Sequence, residues 1–267
     1  MHSYDPQDRP TLILGGGVGP MAGVELHRTI IQQTLAGGDQ EHLDVIHLSA
    51  PHAIGDRTAY LLEDNRENPG IQMASVVMLG LSGLLNTSGR LSTPAIVGVP
   101  CNTFHAPAIY EQFSRELSKI GPNLQLVHML KESLELITQR KPGAQAVGLM
   151  STTGTRRSGV WNRLLEGRGY RVLQLPEEQQ EGLHEVIYQK EWGLKALSPA
   201  SPEAKQRMEG YAQQLIDAGA EALILGCTEL PLALPGLEFK GVPLIDPVLA
   251  LARGMVAAAA PEKLRPY

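Results

Sequence analysis

Cysteine is scarce in this chain, with two residues among 267. So few exclude a disulfide framework and a four-cysteine zinc site. The pair could close one bridge, but a reducing compartment argues against a structural one. Neither cysteine lies in a Cys-x-x-Cys or His-x-x-x-His cluster with any of the eight histidines, so no metal is expected. Positive charge is not in excess either: 23 Lys and Arg stand against 28 Asp and Glu, a formal net charge of −5. Nucleic acid asks for a basic face, and none is expected as a partner. No apolar run approaches the roughly 20 residues that span a bilayer, so no membrane partner is expected. The opening MHSYDPQDRP lacks a charged-then-apolar signal pattern, and the simplest expectation is a cytoplasmic protein.

What is present is the alternation of short apolar runs with longer amphipathic stretches that marks an α/β protein. TLILGG at residues 11–16 reads as a buried strand. GPMAGVELHRTIIQQTLAGG reads as the helix after it, opened by Pro20 and stopped at Gly37 and Gly38. LDVIHLSA and AIVGV read as strands, with the apolar helix IQMASVVMLGLSGLLNTSG between them. The helix APAIYEQFSRELSKIG then closes at Gly121. The pattern restarts at AQAVGLMSTTGT, a strand entering a hydroxyl-rich turn, followed by the helix SGVWNRLLEGRG and the strand YRVLQL. Later PEAKQRMEGYAQQLIDAGA gives a helix and EALILGC a strand.

Each half thus opens with a strand and a turn of small residues, and later ends a strand in cysteine. The expectation is an α/β fold of two pseudo-symmetric domains, each a parallel sheet flanked by helices, with an active site in the cleft between them. The first spans residues 1–120 and carries Cys101; it is joined by 247–267 if the terminal helix DPVLALARGMVAAAA crosses back. The second spans 121–246 and carries Cys227.

Ligands of open parallel sheets bind beyond the carboxyl ends of the strands. Cys101, in VPCNTFH, and Cys227, in GCTELPL, both stand at such ends. A lone cysteine there is most often a small buried hydrophobe. Two, each followed at once by ligand-binding residue types, favour chemistry. GGGVGP fits a loose dinucleotide pattern from Gly17 onward, but no acidic residue follows a clear second strand. A tight turn approached closely by a small ligand explains Gly17 as well. Arg57 either grips a carboxylate bidentately or sits on the surface paired with Asp56 or Asp64. His105, four residues after Cys101, is either a partner for its thiol or a solvated or capping residue. Glu229 either caps a following helix or binds a ligand amine.

The segments GGGVGPMAG, IGDRTAYLL, PCNTFH, GLMSTTGT and GCTELPL, in that order, resemble the cofactor-independent aspartate/glutamate racemase family. The resemblance implies an isomerase with no cofactor, acting on a small amino acid and assembled as a homodimer. It implies that Cys101 and Cys227 are the catalytic acid/base pair. Asn102, Thr103 and Thr228 match positions that hold the substrate α-carboxylate, Thr152 matches another ligand contact, and Arg57 matches the arginine for the side-chain carboxylate. One departure stands out. Members that use acidic amino acids carry a lysine before the second cysteine. Here Glu191 occupies its apparent place, with Lys190 beside it and Lys195 further on.

Two cysteines suit inversion of an α-carbon. One thiolate takes the proton from one face, and the opposite thiol returns one to the other. Each cysteine precedes an apparent helix start, which would draw its thiol toward thiolate. Relatives that decarboxylate arylmalonates keep one cysteine; maleate isomerases keep two and stay as an alternative, as does an amino-acid-binding protein without catalysis.

Overall fold

The computed structural model describes residues 9–63, 66–85, 91, 93–197 and 199–266. The chain divides into two compact units. One runs to Met129 and takes in the chain from Val248 onward; the other is Leu130–Pro247.

The first unit holds strands β1 (Thr11–Gly16), β2 (Asp44–Ser49), β3 (Ala95–Gly98) and β4 (Leu124–Val127), in the order β2-β1-β3-β4 and all parallel. Every residue of β1 and β3 is buried, whereas edge strands β2 and β4 keep exposed positions. That is why the two central strands read as continuous apolar runs. Helices α1 (Pro20–Gln33) and α3 (Pro69–Leu81) both pack on β1, separated in sequence by the single-turn helix α2 (Arg57–Leu62). A Cβ on Gly15 would meet Met73 of α3, and one on Gly16 would meet His47 and the backbone of β2. Successive strand residues point to opposite faces, so α1 and α3 cover different faces of the sheet. α1 stops at Gln33, short of the expected glycines, because the buried Thr34 forms an antiparallel bridge to Leu264. α3 ends in a tight turn at Ser82–Leu84, and residues 86–89 of the expected helix lie outside the described residues.

α4 (Pro107–Ser118) follows β3, and α5 (Met129–Arg140) leads into the second unit. There β5 (Ala146–Ser151), β6 (Arg171–Leu173), β7 (Ala222–Gly226), β8 (Glu238–Phe239) and β9 (Val242–Ile245) form a sheet ordered β6-β5-β7-β9-β8, antiparallel only at β8. Without β8, this repeats the order of the first sheet: second, first, third, fourth. The helix expected over SGVWNRLLEGRG is two helices, α6 (Thr153–Ser158) and α7 (Val160–Glu166), broken at Gly159 with φ +63°. α8 (Glu177–Tyr188) and α9 (Pro202–Asp217) pack against each other and on β5. α10 (Pro247–Ala259) returns to the first unit, where Met255 lies 2.4 Å from where a Cβ on Gly98 would stand. Only glycine at that point of β3 lets the helix lie down on the strand.

One buried side chain fixes the loop after β3. His105 is 2% exposed; its Nδ1–H donates to the carbonyl of Cys101 at 2.9 Å, and its Nε2 accepts the Met129 N–H at 3.2 Å. A carbonyl only accepts and an amide N–H only donates, so the ring is neutral with its proton on Nδ1. It stacks on Tyr110 at 5.0 Å and leans on His128 at 4.5 Å. Burial first, and then His128, hold its pKa well below the usual imidazole range, against the opposing pull of the Cys101 carbonyl. Burial lowers His47 and His184 in the same direction.

A histidine whose pKa is depressed by folding binds fewer protons folded than unfolded. Its contribution is intact above the unfolded value and shrinks as the pH falls below it. Thermal unfolding is therefore expected to move to lower temperature as the pH drops from about 7.5 to about 5, across the unfolded histidine value near ~6.5. His105→Gln, which keeps a donor and an acceptor, should flatten that slope in circular-dichroism melts. An unchanged slope would place the sensitivity elsewhere.

Candidate functional site

In the first unit, register sets the site residues. Gly16 pairs with Ser49 across β1 and β2, so Gly17 meets the chain just beyond β2. Gly17 has φ +93°, and an added Cβ would stand 2.8 Å from Ala50 N. What approaches this turn closely is the Ala50–Pro51 backbone, so packing within the unit by itself requires the glycine.

Beyond β3, Cys101 is 9% exposed and its N–H donates to the Val99 carbonyl at 3.0 Å. Asn102 and Thr103 follow, buried at 5% and 9%. His105 does not partner the Cys101 thiol. Both its nitrogens are bonded to backbone, and it is buried rather than solvated. It shapes the loop that presents the cysteine.

Arg57 opens α2, and Asp56 is the N-cap of that helix, accepting the Ala59 N–H at 2.7 Å. That bond occupies the carboxylate offered as the surface partner of Arg57; Asp64 lies outside the described residues. Arg57 donates from Nη1 to the Gly55 carbonyl at 3.1 Å, and its Nε is buried with no partner among the described residues. A buried guanidinium N–H without an acceptor is a standing cost that an incoming carboxylate would relieve.

In the second unit, Ser151 pairs with Gly226, which sets Thr152 and Cys227 one step beyond adjacent strand ends. The Thr152 hydroxyl caps α6: it accepts from Thr155 N at 3.2 Å and donates to Thr155 Oγ1 at 3.0 Å. Its proton is thus committed within its own turn.

Cys227 sits in a charged cluster. Its Sγ–H donates to Glu229 Oε2 at 2.9 Å, and Thr228 Oγ1 donates to the same oxygen at 3.1 Å. Lys195 Nζ donates to Glu229 Oε1 at 2.7 Å. The ion pair is sheltered, with side-chain exposures of 34% for Lys195 and 12% for Glu229. Lys195 also lies over the Tyr188 ring, 5.4 Å from its centre. Both oxygens of Glu229 are therefore taken, and its side chain does not cap the turn that follows.

Burial pushes the Cys227 thiol well above its usual range, the Glu229 charge pushes the same way, and Lys195 opposes them. Glu229 is itself raised by burial, yet Lys195 and the bonds from Cys227, Lys195 and Thr228 bring it below the usual carboxylate value. The field of a helix start, expected from the sequence to favour thiolate, is not supplied here. Leu230–Leu232 is a single tight turn, too short to carry a helix dipole. The lysine question also resolves in position: Glu191 is exposed beyond α8, while Lys195 is the cation beside Cys227. Sequence offered three charged residues in that stretch and no signal to rank them.

Comparison with known proteins agrees with this architecture. A family model described as Asp/Glu/Hydantoin racemase matches residues 16–255. The chain is similar to a glutamate racemase of Pseudomonas putida, 33% identical over 156 residues, covering 57% of this chain and 53% of that protein. It is similar to the broad specificity amino-acid racemase RacX of Bacillus subtilis, 26% identical over 164 residues, or 60% and 63% of the two chains. The matched stretch thus spans between half and two thirds of these curated relatives. Among solved structures, the Picrophilus torridus aspartate racemase superposes with a TM-score of 0.71 at 23% identity over 94% of each chain. That likeness shows the fold: parallel sheets flanked by helices. With most of its length inside the family model, this chain belongs to the Asp/Glu/Hydantoin racemase family, a family of isomerases.

Proposed function

We propose that the protein is a cofactor-independent amino-acid racemase that inverts an α-carbon between two thiols, with aspartate or glutamate as its substrate. The observation that carries this reading is topological. Cys101 follows β3 and Cys227 follows β7, the third strands of two sheets with the same strand order. A repeated fold with a repeated cysteine suits a reaction whose two halves are mirror images.

In one direction the Cys101 thiolate takes the α-proton and the Cys227 thiol returns a proton to the opposite face; in the other the roles exchange. The α-proton is very weakly acidic, so the carbanion needs electrostatic support in the transition state. Asn102, Thr103 and Thr228 are assigned to the α-carboxylate, with Gly17 and the capped turn at Thr152 as neighbouring contacts. Arg57, with its unsatisfied Nε, and Lys195 are assigned to the side-chain carboxylate. Glu229 accepts from Lys195, Cys227 and Thr228, which argues against its binding the substrate amine directly. No helix among the described residues is long and apolar enough to cross a membrane. A homodimer in the cytoplasm completes the reading, and size-exclusion chromatography with light scattering should give twice the 28.9 kDa chain mass.

The deciding experiment incubates the purified protein in deuterated water with single-enantiomer amino acids and no added pyridoxal phosphate. Inversion is followed by chiral chromatography and α-deuterium by NMR. The parent should invert at least one acidic amino acid. Cys101→Ala and Cys227→Ala should each lose inversion while still exchanging the α-proton of one enantiomer, opposite for the two variants. Should either variant racemise at the parent rate, the paired roles are wrong; activity only on maleate or a malonate would instead reassign the site.

Arg57→Lys tests the side-chain assignment. A lysine cannot reproduce the bidentate fork, so KM for the acidic substrate should rise about tenfold or more while the circular-dichroism spectrum stays that of the parent. A variant matching the parent on every active substrate would remove Arg57 from the site.

A further inference from the structure

The two candidate thiols have different surroundings. Cys101 stands on a loop pinned by a neutral histidine through backbone bonds. Cys227 has an ionised carboxylate bonded to its sulfur. A buried thiol donating to a carboxylate rests protonated, which suits an acid. To act as a base in the other direction, it must first hand its proton to an acceptor. Among the bonds described for Cys227 Sγ, that acceptor is Glu229 Oε2, at 2.9 Å.

We infer that Glu229 is the proton partner of Cys227, taking the thiol proton when Cys227 must act as a base, with Lys195 setting how readily it does so. This rests on the two-thiol reading above. In the step, the Sγ–H bond breaks, an Oε2–H bond forms, and the negative charge moves from carboxylate to sulfur. The thiolate then takes the substrate α-proton. Glu229 afterwards releases its proton to water as the opposite cysteine takes one up, so protons balance over the cycle.

Lys195 gives the arrangement its sensitivity. Bonded to Oε1, it stabilises the Glu229 carboxylate and keeps the proton on sulfur. A substrate side-chain carboxylate competes for the same ammonium. Drawing Lys195 toward it weakens the hold on Glu229, makes Oε2 a better proton acceptor, and so favours thiolate when an acidic substrate is bound. A substrate with an apolar side chain offers no such competition. On this account Glu229 stands in for the substrate carboxylate in the free protein and lets go when the substrate arrives.

The charged and titratable groups around the cluster are few. Glu229 and Lys195 face Cys227; Tyr188, at the end of α8, faces Lys195; His184 packs on Tyr188 at 4.6 Å and accepts from Thr153 N. Substituting either end of the Lys195–Glu229 pair breaks the same bond, so a purely structural role predicts the same effect from both. A role through charge predicts opposite effects.

The test uses Cys101→Ala protein, in which Cys227 is the sole cysteine, and measures its alkylation by iodoacetamide at a fixed pH near ~8, close to the ordinary thiol value, by mass spectrometry. Glu229→Gln removes the negative neighbour and should speed alkylation about tenfold or more, as expected for a pKa lowered by about one unit. Lys195→Met should slow it by a similar factor. In the protein with both cysteines, Glu229→Gln should lower turnover about tenfold or more despite the freer thiolate, because an amide cannot take the proton. Rates moving the same way in both variants, or parent turnover in Glu229→Gln, would overturn the inference. Lys195, a third exposed, keeps the test available should Glu229→Gln fail to fold: an alkylation rate unchanged or raised in Lys195→Met overturns it alone. Alkylation needs no substrate. A parent inactive on every amino acid would therefore sink the racemase reading and leave this measurement to decide the Glu229–Cys227 coupling.

Discussion

The register of the two central strand pairs is the constraint on which the rest of the molecule turns. β1 lies beside β3 and β5 beside β7, each pair parallel. In a parallel pair both chains leave the sheet at the same end, and their next residues find no ladder partners. Gly17 and Cys101 leave one such end, Thr152 and Cys227 the other. The loops that follow must satisfy their backbone groups locally, and they do so with the hydroxyl of Thr152, the tight turns at residues 103–105 and 230–232, and the ring of His105. Chemistry and loop closure are therefore met by the same short segments.

The two ends are built alike and wired differently. Burial surrounds both cysteines, yet the first loop is organised by uncharged contacts and the second by an ion pair. Coulomb energy grows as water is excluded, so an ion pair this sheltered has a firm grip on a neighbouring proton. A pseudo-symmetric fold handling a chiral substrate has reason to differ in this way. The enantiomers put hydrogen and amine on exchanged sides, and the side-chain carboxylate can be anchored only once.

Much of the architecture was legible because central parallel strands are covered on both faces and must be apolar throughout. TLILGG, AIVG, AVGLMS and ALILG declare themselves for that reason. β4 does not, since LQLV is partly exposed at an edge, and α5 behind it went unread with it; α8 and β9 were also passed over. The cysteines were found because rarity and position both marked them. The residues that tune them were harder to rank. Whether Lys190, Glu191 or Lys195 reaches Cys227 depends on how the chain folds after α8, which no local pattern encodes. The hydroxyl of Thr152 looks the same in sequence whether it caps a helix or waits for a ligand. His105 looked like a thiol partner because four residues is a plausible reach; the structure turns its ring to the carbonyl instead.

The return of the C-terminal segment bears on how the protein is made. The second unit is continuous in sequence, whereas the first borrows α10 and the residues after it. Arg265 N–H bonds the Gln33 carbonyl, Arg253 bonds the Gln33 side chain, and Met255 covers β3 at Gly98. On a ribosome, the strand that leads to Cys101 therefore emerges early and waits, one face uncovered, until the last turns of the chain arrive. The later-synthesised unit has all its strands first. Birth order and completion order are thus reversed, and a nascent chain halted before α10 would hold one finished sheet and one whose apolar face is still open to chaperones.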